Sequence, residues 1–303
     1  MINIIGHKKW YFLISILVIV PGILSLFVYG LNLSIDFTGG TRIELQFPKA
    51  VNEKEVGIVR DAVIDQKLEI STIQKSGKSV FVRTQPMNEK QNAAVLKEVS
   101  KMSGTPVVQE EFITIGPVVG QETAWNAVKA VTIASVLIVL YIAWSFRKVP
   151  KPTTSWRFGV CAVVALLHDV LLLVGVFSIL GHFFHVEIDS LFLTAVLTVI
   201  GFSVHDTIVV FDRIRENLIR LPGIPFDRIV NDSILQTLNR SLNTSLTALL
   251  VLFALLLFGG ESTRWFVAAL IIGIASGTYS SIFNAAPLLV LWDEIDRKRS
   301  KRP

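Results

Sequence analysis

Charged residues are scarce in this sequence. Only 17% of its 303 residues are Asp, Glu, Lys or Arg, whereas an average soluble domain carries about 25%. Hydrophobic residues make up 51% of the chain. The length alone would favour two or three soluble domains, but this composition instead indicates a protein that lies largely in lipid.

Cysteine and catalytic signatures are nearly absent as well. The single cysteine, Cys161, lies in an apolar segment and has no partner for an intramolecular disulfide, so it does not report the redox compartment. The sequence contains no HEXXH, GXSXG or Walker pattern, which makes an enzyme the least favoured class. We expect no metal and no cofactor. We attribute the net charge of +5 to membrane orientation signals and not to nucleic-acid binding.

Six apolar segments are long enough to form transmembrane helices, because a helix needs about 20 apolar residues to cross the hydrocarbon core. All six tryptophans fall at the ends of these segments, where amphipathic indole rings favour the membrane interface. The predicted organisation is as follows: residues 1–30, cytoplasmic N-terminus and first span; 31–122, extracytoplasmic domain; 123–146, second span; 156–181, third span; 188–211, fourth span; 212–237, cytoplasmic loop; 238–258, fifth span; 265–292, sixth span; 293–303, basic cytoplasmic tail.

The first span resembles a signal peptide only in its basic start at His7, Lys8 and Lys9. Its apolar run exceeds the usual length of about 7–15 residues, and no small-residue cleavage site follows, so a retained helix is the favoured interpretation. Lys and Arg number 16 on the side that holds both termini, against one, Arg264, in the two short loops opposite. Positive charge accumulates on the cytoplasmic side, which predicts that both termini are cytoplasmic.

The extracytoplasmic segment contains alternating strand and helix patterns. Residues 41–47 alternate apolar and polar side chains, as a half-buried strand does. Asn52 with Glu55 and Asn88 with Gln91 form capping-box patterns that open two helices. Three further strands are predicted at 68–74, 79–84 and 106–115. The order βαββαβ predicts a ferredoxin-like sandwich, which we interpret as a binding or lever module; a passive spacer is the alternative.

Ionisable residues occur inside the predicted spans, where they are rare and usually functional. Asp169 lies near the middle of the third span, Asp206 lies in the fourth span toward the cytoplasm, and Arg240 opens the fifth. We take Asp169, Asp206 and Arg240 as candidates for a proton relay. Histidines precede both aspartates, and His205 is a further candidate. Three alternatives remain open: a hydrogen-bonded structural carboxylate for Asp169, a fixed salt bridge for Asp206, and an interfacial, snorkelling position for Arg240.

Polar residues recur on one face of the fourth span and one face of the fifth. These residues are Ser203, Asp206 and Thr207 in the fourth span and Asn239, Arg240, Asn243, Thr244 and Thr247 in the fifth. Two such faces bury their polar groups best against each other. A carboxylate that can take up a proton beside a permanent cation predicts a gate for protons.

Small residues form two further patterns. In the sixth span they recur at every fourth position, which is typical of closely packed helices; they are Ala269, Gly273, Gly277, Ser281 and Ala285. A second group follows the first span and consists of Asp36, Phe37, Thr38, Gly39 and Gly40. We interpret its glycines as a hinge between the first span and the extracytoplasmic domain, with a tight turn as the alternative.

Three motifs carry a resemblance to a known family. They are IDFTGG at 35–40, GFSVHDTIVVFDRIREN at 201–217 and LNRSLNTS at 238–245. Together with the six-span plan, they resemble the SecF family, the smaller partner of SecD in bacterial protein export, within the resistance–nodulation–division superfamily. The resemblance covers nearly the whole chain. His205 departs from the pattern, since many members have Asn at this position.

The resemblance implies a multi-pass protein of the bacterial inner membrane that uses the proton motive force to promote late translocation and release of exported, unfolded polypeptide. It implies SecD and the SecY/SecE/SecG channel as partners. It also implies a proton-relay role for Asp206 and Arg240, with a further acidic group supplied by SecD. The short basic segments at both ends of the chain lead us to expect a stand-alone subunit with a separate SecD. A small-molecule exporter of the same superfamily and a passive translocon scaffold are the competing functions.

Overall fold

The computed structural model describes residues 3–147, 149–150 and 153–300. Lys148, Lys151 and the last residues of the predicted basic tail, 301–303, lie outside this range. The chain divides into two compact units, a helical unit of Met1–Asn32 and Ala130–Pro303 and an inserted domain of Leu33–Lys129.

The elements follow the predicted alternation. In chain order they are α1 (Lys8–Tyr29), α2 (Ile35–Thr38), β1 (Gly40–Gln46), α3 (Glu53–Asp65), β2 (Ile70–Ser76), β3 (Ser79–Thr84), α4 (Glu89–Ser103), β4 (Val108–Ile115), α5 (Pro117–Ser145), α6 (Ser155–Phe184), α7 (Ser190–Arg220), α8 (Phe226–Phe258), α9 (Arg264–Ser280) and α10 (Ala286–Ser300). Six helical segments of the described chain are long and apolar enough to cross a membrane; α9 and α10 together form the sixth. The chain is thus a mainly helical, multi-pass membrane protein.

The helical unit has a buried centre and an exposed periphery. The third, fourth and sixth spans are half buried or more, whereas the first, second and fifth are largely exposed. The second span, α5, is packed through its C-terminal end, where Ile142 and Phe146 are buried. The Phe146 ring contacts Phe158 of α6 and Phe211 of α7 with centroids 5.3 and 5.9 Å apart.

Residues 212–237, predicted as a cytoplasmic loop between two spans, are helical apart from residues 221–225. Helix α7 continues to Arg220, and α8 already begins at Phe226. Two effects favour helix here. Charged side chains pair one turn apart, as in Asp212–Arg215 at 2.6 Å. Between the helices, the Asn217 amide donates to Ser233 Oγ at 2.8 Å and to Gln236 Oε1 at 3.0 Å.

The sixth span is interrupted by a π turn over Ser281–Ala285. Pro287 follows it, and proline lacks the N–H that would bond to the carbonyl group four residues earlier. Two side chains of the turn form hydrogen bonds. Ser281 Oγ donates to Gly277 O at 2.8 Å, and Asn284 Nδ2 donates to Ser15 Oγ of α1 at 2.8 Å. The π turn therefore separates α9 from α10, and the hydrogen bond from Asn284 attaches its C-terminal part to α1.

The inserted domain contains a four-stranded antiparallel sheet in the order β2–β3–β1–β4. One hydrophobic core includes the inward residues of β1 and β3 and of α3 and α4, among them Ile43, Leu45, Val59, Val63, Val80, Val82, Val95 and Val99. Both predicted capping boxes are confirmed, with Asn52 and Glu55 opening α3 and Asn88 and Gln91 opening α4.

Candidate functional site

Asp169 lies at the centre of a polar cluster inside the helical unit. Its side chain has no exposed surface, yet both carboxyl oxygens are hydrogen-bonded. Ser203 Oγ of α7 and Ser280 Oγ of α9 donate to Oδ2 at 2.5 and 2.6 Å. Ser276 Oγ of α9 donates to Oδ1 at 2.8 Å, and His168 Nδ1 lies 3.0 Å from the same oxygen. This arrangement agrees with the alternative of a hydrogen-bonded structural carboxylate.

The helix geometry explains why three hydroxyl groups reach one carboxylate. Ser276 and Ser280 are four residues apart, so they lie on one face of α9 about one turn from each other. Serine is small enough to let α9 approach α7 closely while still offering a donor. A buried carboxylate without such donors would be strongly destabilising, so these serines are what make a charge tolerable at this position.

Asp206 has a different environment. It is only 3% exposed, but its Oδ2 forms no hydrogen bond within the described part of the chain. The side chains of Ser241, Thr278, His205 and Arg240 lie near this carboxyl. Ser241 Oγ also lacks a hydrogen-bond partner with good geometry among the described residues. Asp206 is therefore buried and incompletely paired.

Arg240 is close enough to influence Asp206 but does not neutralise it by contact. Within the described chain, no ion pair joins Arg240 to a carboxylate, and the residue is exposed. It lines a groove of about 390 Å³ between α7 and α8, together with Asp212 and Glu216. The fixed salt bridge considered for Asp206 is thus not formed in this chain by itself. His205, next to Asp206 on α7, is also exposed.

The predicted polar seam between α7 and α8 is only half right. Ser203 and Thr207 are buried as expected. On α8, however, the residues expected to face α7 are exposed; they are Asn239, Arg240, Asn243, Thr244 and Thr247. The inward face is occupied instead by Ser241 and Ser245, and Ser245 Oγ lies 2.5 Å from Thr278 Oγ1 of α9.

The physical reason for this correction is side-chain size. Within the predicted fifth span, the inward face of α8 carries the hydroxyl residues Ser241 and Ser245. The hydroxyls of Ser233, Thr237 and Ser245 hydrogen-bond to carbonyl groups of their own helix one turn earlier. Such side chains stay short and satisfied in a close helix contact. Asparagine and arginine are longer and carry more donors, so they cannot be accommodated between closely packed helices without additional partners.

The small-residue ridge of α9 packs against α7. A Cβ atom added to Gly273 would collide with the Val199 side chain, and one added to Gly277 would lie 2.9 Å from Ser203 Cβ. Ser281 continues the contact, because its hydroxyl lies 2.8 Å from Thr207 Oγ1. Ala269 is fully buried on the same ridge. The ridge brings α9 close enough to α7 for the hydroxyl contacts described above.

The IDFTGG segment forms a compact turn within the inserted domain. Gly39 and Gly40 have φ values of +73° and +129°, which residues with a side chain rarely adopt. A Cβ on Gly39 would lie 2.7 Å from Pro117 Cα, and one on Gly120 would lie 2.5 Å from Gly39 N. The chain thus enters the inserted domain at Gly39 in close contact with the first residues of α5, the helix through which it leaves the domain. These contacts support a tight turn; the hinge stays a prediction.

Arg83 of β3 holds the same segment in place. Its guanidinium group donates to Leu33 O at 2.6 Å and to Thr38 Oγ1. The rest of the motif is fixed locally: Asp36 N bonds to the Ser34 hydroxyl at 3.2 Å, and Phe37 is buried. Sequence reasoning identified the motif but missed its anchor.

Several site residues were missed because they are small and common. These are Ser241 and Ser245 of α8 and Ser276, Thr278 and Ser280 of α9. The concentration of hydroxyl residues in SGTYSS at 276–281 is unusual for a membrane span and could have identified the α9 group. Nothing in the fifth span indicated that Ser241 would be preferred over Asn239 as the inward residue.

Family models match most of the chain. The model for the C-terminal region of the protein export membrane proteins SecD and SecF matches residues 95–295. The SecD/SecF GG motif matches residues 24–51, which include IDFTGG. Between them these two regions contain Asp169, Asp206, Arg240 and the two glycines of the turn.

Individual proteins and structures give the same result. The chain is 46% identical to the protein translocase subunit SecF of Thermobaculum terrenum, over 98% of this chain and 95% of that protein. It is 41% identical to the SecF subunit of Anaerolinea thermophila, over 97% and 94% of the two chains. It is also similar to the crystal structure of SecDF, a translocon-associated membrane protein from Thermus, with a TM-score of 0.84 and 34% identity. That match covers 97% of this chain and 39% of the SecDF chain.

Proposed function

Because this chain belongs to the SecD/SecF family of protein-export membrane proteins, we propose that it couples the proton motive force to the late translocation and release of polypeptide. A role in protein export by the Sec pathway follows from the family itself. The finer proposal is carried by one observation: Asp206 is buried inside the helical unit, yet one of its carboxyl oxygens has no hydrogen-bond partner among the described residues.

A buried and incompletely paired carboxylate is suited to exchanging a proton. Burying an ionised carboxylate is costly in general, and hydroxyl groups or a cation close to it offset that cost. Proton uptake at Asp206 would remove its attraction to Arg240, which stays charged throughout. The fourth and fifth spans would then have two preferred arrangements, biased by the proton gradient. One charge crossing a potential of 100 mV is worth about 2.3 kcal/mol, so a few protons supply enough free energy to move a small domain.

Asp169 does not share these properties. Three hydroxyl donors occupy both of its oxygens, so uptake of a proton there would disrupt contacts with two helices. We therefore propose that Asp206 and Arg240 form the proton-responsive unit, with His205 as an accessory group. Asp169 is not a relay position in this proposal.

SecD is the partner we propose for the exposed polar face of α8. Arginine and asparagine side chains facing lipid in the hydrocarbon core are costly, which indicates that Asn239, Arg240 and Asn243 are covered by another protein helix. SecD and SecF are joined in the SecDF structure that resembles this chain, which supports this assignment. A carboxylate on the covering helix would complement Arg240.

The remaining features of the proposal concern placement. We propose the bacterial inner membrane as the location, with both termini in the cytoplasm, on the basis of the distribution of Lys and Arg. The element order and the sheet order β2–β3–β1–β4 support a ferredoxin-like class for the inserted domain. This domain would act on exported polypeptide outside the membrane, next to the SecY/SecE/SecG channel.

The test measures export of a reporter polypeptide in membrane vesicles, with and without a proton gradient. We expect Asp206→Asn to abolish the stimulation by the gradient while the protein still copurifies with SecD. Arg240→Lys should lose part of the stimulation, since lysine keeps the charge but lacks the planar guanidinium group. Asp227→Asn is the control, because Asp227 is an exposed acidic residue at the start of α8 and does not line the groove that contains Arg240. An Asp206→Asn protein that responds to the gradient as the native protein does would show that this carboxylate is structural.

A further inference from the structure

Helix α9 lies between the two buried carboxylates and presents hydroxyl groups to both. Ser276 and Ser280 donate to Asp169 of α6. Thr278 belongs to the other cluster, where its hydroxyl lies 2.5 Å from Ser245 Oγ of α8 and close to the Asp206 carboxyl of α7. Since successive residues of an α-helix are about 100° apart, Thr278 points roughly opposite to Ser276 and Ser280.

We propose that Asp169 is a positioning residue for the Asp206 site. By holding Ser276 and Ser280, it fixes the rotation of α9 about its axis, and this rotation places Thr278 against Ser245 beside Asp206. This inference rests on the proposed function only in taking Asp206 as the proton site. The positional claim, that Asp169 sets the contact between α8 and α9, is independent of it.

A carboxylate is chemically suited to this task. Its two oxygens accept hydrogen bonds from three hydroxyls at once, on Ser203, Ser276 and Ser280, and hydrogen bonds to a charged acceptor are stronger than those between neutral groups. An asparagine side chain offers only one acceptor oxygen, and its NH₂ group would face donors. Because Ser203 belongs to α7, the same carboxylate also fixes α9 relative to the helix that carries Asp206.

The π turn after α9 makes such a rotation mechanically independent of α10. Ser281–Ala285 forms the turn, and Asn284 within it is bonded to Ser15 of α1. The segment beyond the turn is therefore anchored separately from Ser276 and Ser280. A π turn carries one extra residue per turn and often occurs at functional sites, so it can accommodate a change in the rotation of α9 without moving α10.

A cysteine pair reports this rotation directly. Cys161 is the single cysteine of the sequence, so Cys161→Ala provides a cysteine-free background. In it, Ser245→Cys with Thr278→Cys forms the reporter pair, since the two native hydroxyl oxygens are 2.5 Å apart. Ser25→Cys with Ser178→Cys is the control pair across α1 and α6, where the hydroxyl oxygens are 2.9 Å apart. Disulfide yield is measured in membranes of cells that produce the full chain together with SecD.

We expect Asp169→Asn to lower the disulfide yield of the reporter pair roughly tenfold, the effect of losing about one hydrogen bond to a charged group, and to leave the control pair unchanged. Ser280→Ala should have a smaller effect in the same direction, and Ser280→Thr, which retains the hydroxyl, should restore the yield. Gradient-stimulated export should fall and recover in the same order as the yield.

Three results would overturn the proposal. The first is loss of gradient-stimulated export in Asp169→Asn with an unchanged reporter pair, which would make Asp169 a proton relay. The second is an unchanged yield together with normal export. The third concerns the case in which Asp169→Asn also loses the disulfide of the control pair, which would mean that this variant is misfolded. The Ser280→Ala variant then provides the test. If Ser280→Ala retains the control disulfide and the yield of the reporter disulfide is unchanged, the positional claim is refuted. The disulfide yields that test the positional claim do not depend on the result of the Asp206→Asn export experiment.

Discussion

Gly277 of α9 lies so close to Ser203 of α7 that a Cβ atom on the glycine would stand 2.9 Å from the serine Cβ and 3.1 Å from its Cα. The same serine donates a hydrogen bond to Asp169. The closest approach of the two helices and the binding of the buried carboxylate therefore depend on each other. A bulkier residue at either position would separate the donor from its acceptor.

The first prediction concerns this contact. Gly277→Leu should destabilise the protein by about 1–3 kcal/mol, because it overfills a packed interface, and should reduce copurification with SecD. Thermal unfolding of the detergent-solubilised protein measures the first effect. Gly201→Ala is the matched control, since a Cβ on this glycine of α7 would meet no atom within 4 Å. Normal stability of Gly277→Leu would show that α9 does not pack against α7 in the membrane.

The second prediction concerns the exposed polar face of α8. If SecD covers this face, Asn243→Leu should weaken copurification with SecD, because it removes a hydrogen-bonding group from a helix contact within the membrane. Leu17→Ala is the control, since Leu17 is an exposed apolar residue of α1 and lies outside this face. If Asn243 faced lipid, the leucine variant would retain SecD fully and would be more stable than the native protein, which would contradict the assigned interface.

The third prediction separates a tight turn from a hinge at IDFTGG. Gly120→Ala blocks the approach of α5 to Gly39 but leaves the dihedral freedom of Gly39 and Gly40 unchanged. If the close contact is what matters, Gly120→Ala should reduce protease resistance of the inserted domain and export as strongly as Gly39→Ala does. Gly57→Ala in α3, where a Cβ meets no atom within 4 Å, should be neutral or slightly stabilising.

The opposite result for this pair is equally informative. If Gly39→Ala and Gly39→Pro impair export while Gly120→Ala has no effect, the positive φ of Gly39 is required and the close contact with α5 is not. If Gly39→Pro leaves export intact, the hinge is wrong. Proline at this position also removes the hydrogen bond from Gly39 N to Ile35 O of 2.8 Å, so a fully active proline variant would refute both readings.

The fourth prediction concerns topology. A reporter placed in the β2–β3 turn at Gly77, which is exposed and has a φ of +56°, should be extracytoplasmic. A reporter fused after residue 303 should be cytoplasmic, because Lys and Arg accumulate on that side. The reporters are an enzyme that is active only in the periplasm and a protein that fluoresces only in the cytoplasm, and each is inserted at both positions. Both reporters on the same side of the membrane would contradict the arrangement of six spans.

The amino-acid sequence by itself determined the features that depend on neighbours along the chain. The six spans follow from uninterrupted apolar runs, and Asn52 and Asn88 marked the starts of α3 and α4 because a capping box involves only four consecutive residues. Asp169, Asp206 and Arg240 were recognisable because charge is rare in lipid. Periodicity within one helix also revealed the ridge that includes Gly277.

Only the tertiary structure decided how those helices are rotated against each other. In α8, both Asn243 and Ser245 belong to polar stripes of the same period, and the sequence offers no way to choose which stripe faces inward. The contact that decides it, Ser245 with Thr278, joins residues 33 positions apart. Likewise, the bonds from Ser276 and Ser280 to Asp169 span more than 100 residues. Such contacts depend on side-chain size and helix rotation in three dimensions, because a polar group in a membrane can point either way as long as some partner receives it.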